Sequence, residues 1–260
     1  MGSLLARAEF RAEALAESEA ALRDAAAAAP APPSMAAALH GLAVGVVAEL
    51  KRRSPSKGEI RRDLDAARQV VAYEQGGAAA ISVLTEPEQF GGSPDDLRLA
   101  RQTTGRPLLR KDFIVHRLQI VEARALGASA VLLIARALSP LRLRELAAAA
   151  AEAGLETLIE VRDDRELADA LSARGTMIGV NNRDLETLAI DLATGERLLP
   201  LVPRDRIAVA ESGIRSREDV ERFAACGADA VLVGSAVSAS ADPAGAVRAL
   251  VGVSRHARLA

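Results

Sequence analysis

From Val44 onward the chain alternates short apolar runs with longer stretches in which apolar residues recur every three or four positions. The first pattern reads as a buried strand and the second as an amphipathic helix. Eight strands are predicted, at residues 45–50, 79–84, 108–111, 130–134, 157–161, 177–181, 207–210 and 230–233. Helices are predicted between them, among others at 65–74, 119–125, 140–153, 164–174 and 217–226. Strands that alternate with helices build a parallel sheet. Eight such units close on themselves, so the expected fold class is α/β, a (β/α)8 TIM barrel.

A degenerate repeat supports this reading. Gly77-Ala78-Ala79-Ala80, Gly127-Ala128-Ser129-Ala130 and Gly227-Ala228-Asp229-Ala230 each stand directly before an apolar run, and Gly154 before Leu155 is a looser fourth case. Each glycine is expected to end a helix in the left-handed conformation and turn the chain into a strand. An open, doubly wound sheet is the structural rival. It would carry a glycine fingerprint after its first strand. Here that strand runs into Lys51-Arg52-Arg53-Ser54-Pro55-Ser56-Lys57-Gly58, which lacks the Gly-x-Gly-x-x-Gly spacing. Residues 1–29 are rich in Ala, Glu, Arg and Leu and are expected to be helical up to Pro30, Pro32 and Pro33. A short helix is expected at 35–39. The expected organisation is one domain, 1–260, in which 1–43 is a helical extension of the barrel.

Composition narrows the function classes. The 260 residues are 50% hydrophobic and 26% charged, as in a soluble globular chain. The net charge of -2 and the lack of a long basic run recommend neither nucleic acid nor an anionic membrane as partner. No apolar stretch is long enough to span a bilayer. Glu9, Arg11 and Glu13 stand where a signal peptide needs an apolar core, so a cytoplasmic location is expected. Cys226 is the only cysteine and is expected to be buried and inert. His40, His116 and His256 show no metal-ligand spacing, so no metal site is expected. No large exposed apolar stripe is evident, which predicts a monomer.

In a barrel the chemistry sits at the carboxyl ends of the strands. The first strand ends in Glu49 and Lys51, two apart and therefore on one face. The third ends in Lys111-Asp112, the fifth in Glu160, the sixth in Asn181 with Arg183 beyond it, and the seventh in Glu211-Ser212-Gly213. The eighth ends in Gly234-Ser235. Singly, each has a structural reading: Glu160 could cap the next helix, and Lys111 could pair with Asp112. Together they place many ionisable groups at one mouth, which needs a chemical reason. The small residues after strands seven and eight suit a bound phosphate, because backbone N–H groups can approach it there.

These residues carry a family resemblance. The stretch Ala48-Glu49-Leu50-Lys51-Arg52-Arg53-Ser54-Pro55-Ser56-Lys57-Gly58 resembles the signature of indole-3-glycerol phosphate synthases of tryptophan biosynthesis. So do Ala80–Glu86 with Phe90-Gly91-Gly92-Ser93, Leu109-Arg110-Lys111-Asp112-Phe113-Ile114, Gly179-Val180-Asn181-Asn182-Arg183-Asp184-Leu185 and Glu211-Ser212-Gly213-Ile214. The resemblance implies a small phosphorylated substrate, 1-(2-carboxyphenylamino)-1-deoxyribulose 5-phosphate. Its products are indole-3-glycerol phosphate, carbon dioxide and water, made without metal or organic cofactor. It further implies that Lys111 is the main general acid, acting on the ketone, and that Glu160 is its acid/base partner in the dehydration. Lys51 would neutralise the substrate carboxylate and is a second candidate acid. Glu49, Asn181 and Glu211 would position and stabilise the reacting centre, and Arg183 would hold the anionic substrate. Ser54, Gly213, Gly234 and Ser235 would hold the phosphate, Ser212 would contact the substrate beside it, and Phe113, Leu132 and Leu185 would wall the aromatic ring.

The sequence departs from the family at two places. The N-terminal helix lacks the aromatic residues many members use to cover the substrate, and the usual Leu-Met after the last turn is here Val237-Ser238. The loop 52–62, with Pro55 and Gly58, reads either as a mobile cover over the mouth or as an ordinary charged surface loop. Two other functions stay open on the residues alone: a sugar-phosphate isomerase on the same fold, and a non-catalytic phosphate binder. The first would not explain Glu49, Lys51 and Lys111 together, and the second would not need Lys111 and Glu160.

Overall fold

A computed structural model describes residues 2–56, 58–173 and 175–258. Eight parallel strands close into a barrel: β1 (Gly45–Leu50), β2 (Ala80–Leu84), β3 (Leu108–Lys111), β4 (Ala130–Ile134), β5 (Glu156–Val161), β6 (Met177–Asn181), β7 (Ile207–Glu211) and β8 (Ala230–Val233). Each pairs with its neighbours in sequence, and β1 closes the ring against β8. The eight expected strands are all present, with ends shifted by at most one residue. The helices expected between them are present too. The end of the one expected at 164–174 includes Arg174, which lies outside the described residues.

The strand period of two sorts the side chains into two cores. Val47, Ala80, Leu109, Ala130, Leu132, Leu158, Met177, Val209, Ala230 and Leu232 form an inner cluster. Their alternates, such as Val46, Ile81, Leu108, Val131, Ile159, Val180 and Val231, pack outward against the helices. Continuing the inner row toward the carboxyl ends gives Glu49 after Val47, Lys111 after Leu109, Glu160 after Leu158 and Glu211 after Val209. The polar site is thus the next layer of the barrel interior.

The amino-terminal residues wrap the barrel from mouth to base. They form α1 (Gly2–Ala14) and α2 (Glu19–Ala28), joined by a 3₁₀ turn at Leu15–Ser18. The single helix expected up to Pro30 is therefore broken. The break lets α1 cross the mouth, where Arg11 meets Asp112 at 2.7 Å, while α2 descends along α7 (Arg117–Ala125). At the base, the Glu156 carboxylate accepts hydrogen bonds from the N–H groups of Met35 and Ala36, at 2.7 and 2.9 Å. It thereby caps α3 (Met35–Leu39), whose Met35 and Leu39 close the inner cluster from below.

The repeat glycines behave as expected. Gly77, Gly127, Gly154 and Gly227 all have positive φ, at 95°, 83°, 71° and 84°, where the chain leaves a helix for the next strand. Cys226 differs from expectation: it is half-buried, because it caps the end of α11 (Arg217–Ala225) at the surface end of that turn. Burial still pushes its thiol pKa up, which lowers the share of the reactive thiolate.

At Gly77 an added Cβ would lie 3.6 Å from Val251, an ordinary contact, so only the backbone resists substitution. Gly77→Ala should therefore lower the unfolding free energy by about 1–2 kcal/mol, the cost of a left-handed L-residue. Urea denaturation checks this; an unchanged midpoint would show that the turn relaxes freely.

Candidate active site

One cavity of about 300 Å³ opens at the carboxyl ends of the strands. Every residue singled out for the site lines it: Glu49, Lys51, Ser54, Lys111, Phe113, Leu132, Glu160, Asn181, Arg183, Leu185, Glu211, Ser212, Gly213, Gly234 and Ser235. Residues spread over most of the chain thus converge because they lie on the carboxyl-terminal halves of the strands or in the loops that follow them.

Lys111 is at the centre. Its Nζ lies 3.3 Å from Glu211 Oε2 and 3.5 Å from Glu160 Oε2. Beside it, Lys51 Nζ lies 2.9 Å from Glu49 Oε1, as the shared face of β1 requires. The structural alternatives for these residues do not hold. Asp112 turns away from Lys111 and binds Arg11, Thr85 and the Phe113 amide. The helix after β5, α9 (Asp164–Ser172), is capped by Asp163 and not by Glu160.

Burial and charge act against each other here. Burial pushes the Lys111 ammonium down, but the carboxylates of Glu211, Glu160 and Glu49 outweigh it and hold its pKa above the ordinary value. Burial likewise pushes Glu49 up, and Lys51 and Lys111 overcome it, so that its pKa lies below the ordinary value. Glu211 goes the other way. Its burial, with Glu160 and Glu49 nearby, outweighs the pull of Lys111 and pushes it up to about 7. The cavity therefore holds a firmly charged ammonium beside a carboxyl poised near neutrality, a pairing suited to proton transfer.

The turns around this centre are held from behind. The fully buried Asn182 donates its amide to the carbonyls of Glu211 and Ser212, both at 3.0 Å, and accepts from the Gly195 N–H at 2.8 Å. It thereby holds Ser212 at φ 64°, a conformation unfavourable for a residue with a side chain. Gly213 follows at φ 89°, and an added Cβ there would lie 2.5 Å from Leu192 Cδ2. At Gly234 an added Cβ would meet Glu49 and would come within 2.7 Å of Lys51 Nζ. Glycine at 234 is thus what lets β8 end beside the Glu49–Lys51 pair.

The rim is partly apolar and partly basic. Arg183 donates to the Leu188 carbonyl at 2.7 Å. Burial and the nearby Arg215 lower its pKa. The 52–62 loop places Ser54, Pro55 and Ser56 on the cavity, and Arg53–Ser54 pair with Gly58–Glu59 as a short antiparallel ribbon. Lys57, which the chain carries between these two segments, lies outside the described residues. The root of the loop is fastened by Arg52, which grips Asp96 at 2.5 and 2.8 Å. Among the described residues, no three His, Cys, Asp or Glu are gathered so as to hold a metal ion.

Some lining residues escaped the sequence reading. Leu84 and Ile134 follow from the same period of two, one step beyond Ser82 and Leu132. Leu4, Leu188, Ile190 and Arg215 lie on loops or on α1, and no pattern in the sequence marks them; Phe90, part of the family motif, ends the short helix Pro87–Phe90.

The profile of the indole-3-glycerol phosphate synthase family matches residues 5–250. The chain belongs to this family. An indole-3-glycerol phosphate synthase of a Nocardioides species is 54% identical over 208 residues, 80% of each chain. Indole-3-glycerol phosphate synthase 2 of Streptomyces coelicolor is 48% identical over 234 residues, 90% of this chain and 91% of that one. Among solved structures, 3-hexulose-6-phosphate synthase from Salmonella typhimurium superposes with a TM-score of 0.64 at 20% identity. It covers 80% of this chain and 96% of that one, a likeness of fold alone. As an indole-3-glycerol phosphate synthase family member the chain is an enzyme of the carboxy-lyase class, and the isomerase and binder readings fall away.

The raised pKa of Glu211 has a consequence for stability. The native protein binds this proton more tightly than the unfolded chain does. Glu211 therefore favours folding at low pH, and that contribution is lost as pH rises from about 4.5 to about 7. Relative to Glu211→Gln, the wild-type protein should lose unfolding free energy across this window, measured by urea denaturation at several pH values. Parallel curves would show that Glu211 titrates as an ordinary carboxyl.

Proposed function

We propose that this cavity converts 1-(2-carboxyphenylamino)-1-deoxyribulose 5-phosphate to indole-3-glycerol phosphate, carbon dioxide and water. The observation that carries the proposal is Lys111 Nζ held between Glu160 and Glu211, with the Lys51–Glu49 pair alongside. Ring closure requires the sugar ketone to be made electrophilic. Lys111 does this by presenting its proton to the ketone oxygen. The aromatic carbon that carries the carboxylate attacks, and loss of carbon dioxide restores the ring's aromaticity. The hydroxyl left behind departs as water when an acid protonates it, and a base removes the neighbouring proton. Glu160 serves as the acid/base group in this dehydration.

Lys51 neutralises the carboxylate before it leaves, and Glu49, Asn181 and Glu211 fix the reacting atoms and spread their charge. Arg183 adds positive charge for the anionic substrate. The phosphate is received by Ser54, Ser235 and the backbone at Gly213 and Gly234, turns with little side-chain bulk, and Ser212 contacts the substrate beside it. Phe113, Leu132 and Leu185 supply the apolar wall for the aromatic ring. The reaction needs no metal or organic cofactor.

The expected test is a fluorescence assay for the indole product. The wild-type protein should turn over, and Lys111→Ala should lose about 10²–10⁴-fold in rate, the range of a removed general acid, while remaining folded by circular dichroism at the assay temperature. A folded Lys111→Ala protein with an unchanged rate would overturn the role.

The unit of function is further proposed to be a cytoplasmic monomer of one domain, 1–260, with 1–43 as its helical extension. The cytoplasm would keep the lone Cys226 thiol reduced. Among the described residues the exposed large apolar side chains Phe10, Leu42, Val71, Leu99, Leu141 and Leu201 each lie on a different element or loop, which supports the monomer. Gel filtration with light scattering should give the monomer mass; a stable dimer would overturn this state.

A further inference from the structure

The carboxyl end of β1 outruns its neighbour. β1 pairs with β8 from Gly45–Ala230 to Ala48–Val233, and there β8 stops, because Gly234 turns the chain into the short helix Ser235–Ser238. In this ladder the odd-numbered amides and carbonyls of β1 face β8, beginning with the Gly45 N–H on the Asp229 carbonyl at 2.9 Å. The Glu49 carbonyl and the Lys51 N–H therefore face a place where strand β8 has already ended. Buried backbone groups without partners are costly.

One side chain takes the missing place. The Ser238 hydroxyl donates to the Glu49 carbonyl at 2.7 Å and accepts from the Lys51 N–H at 3.2 Å. A hydroxyl can do both at once, as the absent peptide would have done. The Tyr73 hydroxyl lies 3.0 Å from the same Glu49 carbonyl and 3.1 Å from Ser238 Oγ. Both hydroxyl protons thus find the Glu49 carbonyl, and the Ser238 oxygen remains free to accept from Lys51. Ser238 and Tyr73 are fully buried, and neither lines the cavity. Ser238 is one of the positions at which the sequence departs from the family pattern.

We infer that Ser238, seconded by Tyr73, is a positioning residue for Lys51 and Glu49. The inference rests on the role proposed above for Lys51. The side chains of Glu49 and Lys51 enter the barrel from the very stretch of backbone that Ser238 grips, and their charged ends meet at 2.9 Å. On the far side, Arg52 is held by Asp96. Lys51 therefore stands between two anchors, of which the Ser238 hydroxyl holds its N–H while Leu50, before it, is paired with Val83 of β2. Tyr73 steadies the Ser238 hydroxyl but leaves the Lys51 N–H untouched, so its share is smaller.

The test is a double-mutant cycle read by steady-state kinetics of the indole-forming reaction. Ser238→Ala should lower kcat/KM about ten- to hundredfold, the range of a misplaced catalytic group. That loss should divide between kcat and KM as it does in Lys51→Met. Tyr73→Phe should lose several-fold less. In the Lys51→Met background, Ser238→Ala should cost little more. The same factor in both backgrounds would overturn the inference, because a merely structural defect acts whether or not Lys51 is there. So would a Ser238→Ala enzyme as active as wild type when Lys51→Met is impaired. A fully active Lys51→Met protein would instead overturn the role of Lys51, a failure of the reading beneath. If Ser238→Ala does not fold, Tyr73→Phe in the two backgrounds gives the same cycle with the same criteria.

Discussion

The structure depends on keeping several charges out of water at one end of a barrel. Lys111 and Lys51 share the mouth with Glu49, Glu160 and Glu211, all buried or nearly so. Desolvation alone would neutralise most of them. Opposite partners within hydrogen-bonding reach offset that cost for Lys111 and Glu49, while for Glu211 burial wins and its pKa rises to about 7. Such a cluster tolerates little slack: a partner displaced by an ångström leaves an uncompensated buried charge. The surrounding architecture acts as the means of holding these groups in place.

Much of that holding is done by groups that take no part in the chemistry. The inner apolar row beneath the site sets the height at which each charged side chain emerges. Asn182 joins the ends of β6 and β7 and holds Ser212 in a conformation it would not choose. Ser238 completes a ladder that β8 leaves unfinished. Arg11 joins α1 to Asp112, the residue next to Lys111. In each case a buried polar group has its partners supplied from another strand or helix, which the closed barrel brings alongside.

The strands and the charged layer of the site were legible in the sequence through the period of two, whereas Ser54, Phe113 and Leu185 entered only through the family resemblance. Val47, Glu49 and Lys51 read as one face of β1 before any fold is known. The same step leads from Leu109 to Lys111, from Leu158 to Glu160 and from Val209 to Glu211. The glycines at 77, 127, 154 and 227 were legible because only glycine adopts positive φ without strain. Less was visible where no periodicity applies. The break in the N-terminal helix at Leu15–Ser18 has no proline or glycine to announce it. The half-exposure of Cys226 depends on where α11 happens to end.

By itself, then, the sequence determined the order and kind of elements, the side of each strand that faces inward, and the residue types at the strand ends. Those follow from local sterics and from the alternation of apolar and polar residues, which act over a few neighbours. Only the tertiary structure decided which ends meet. The pairing of Lys111 with Glu160 and Glu211, the approach of Leu4, Leu188 and Arg215 to the cavity, and the substitution of Ser238 for a missing strand residue all join distant parts of the chain. Their distances are set by ring closure and by how far each strand outruns its neighbour, quantities that no local pattern encodes.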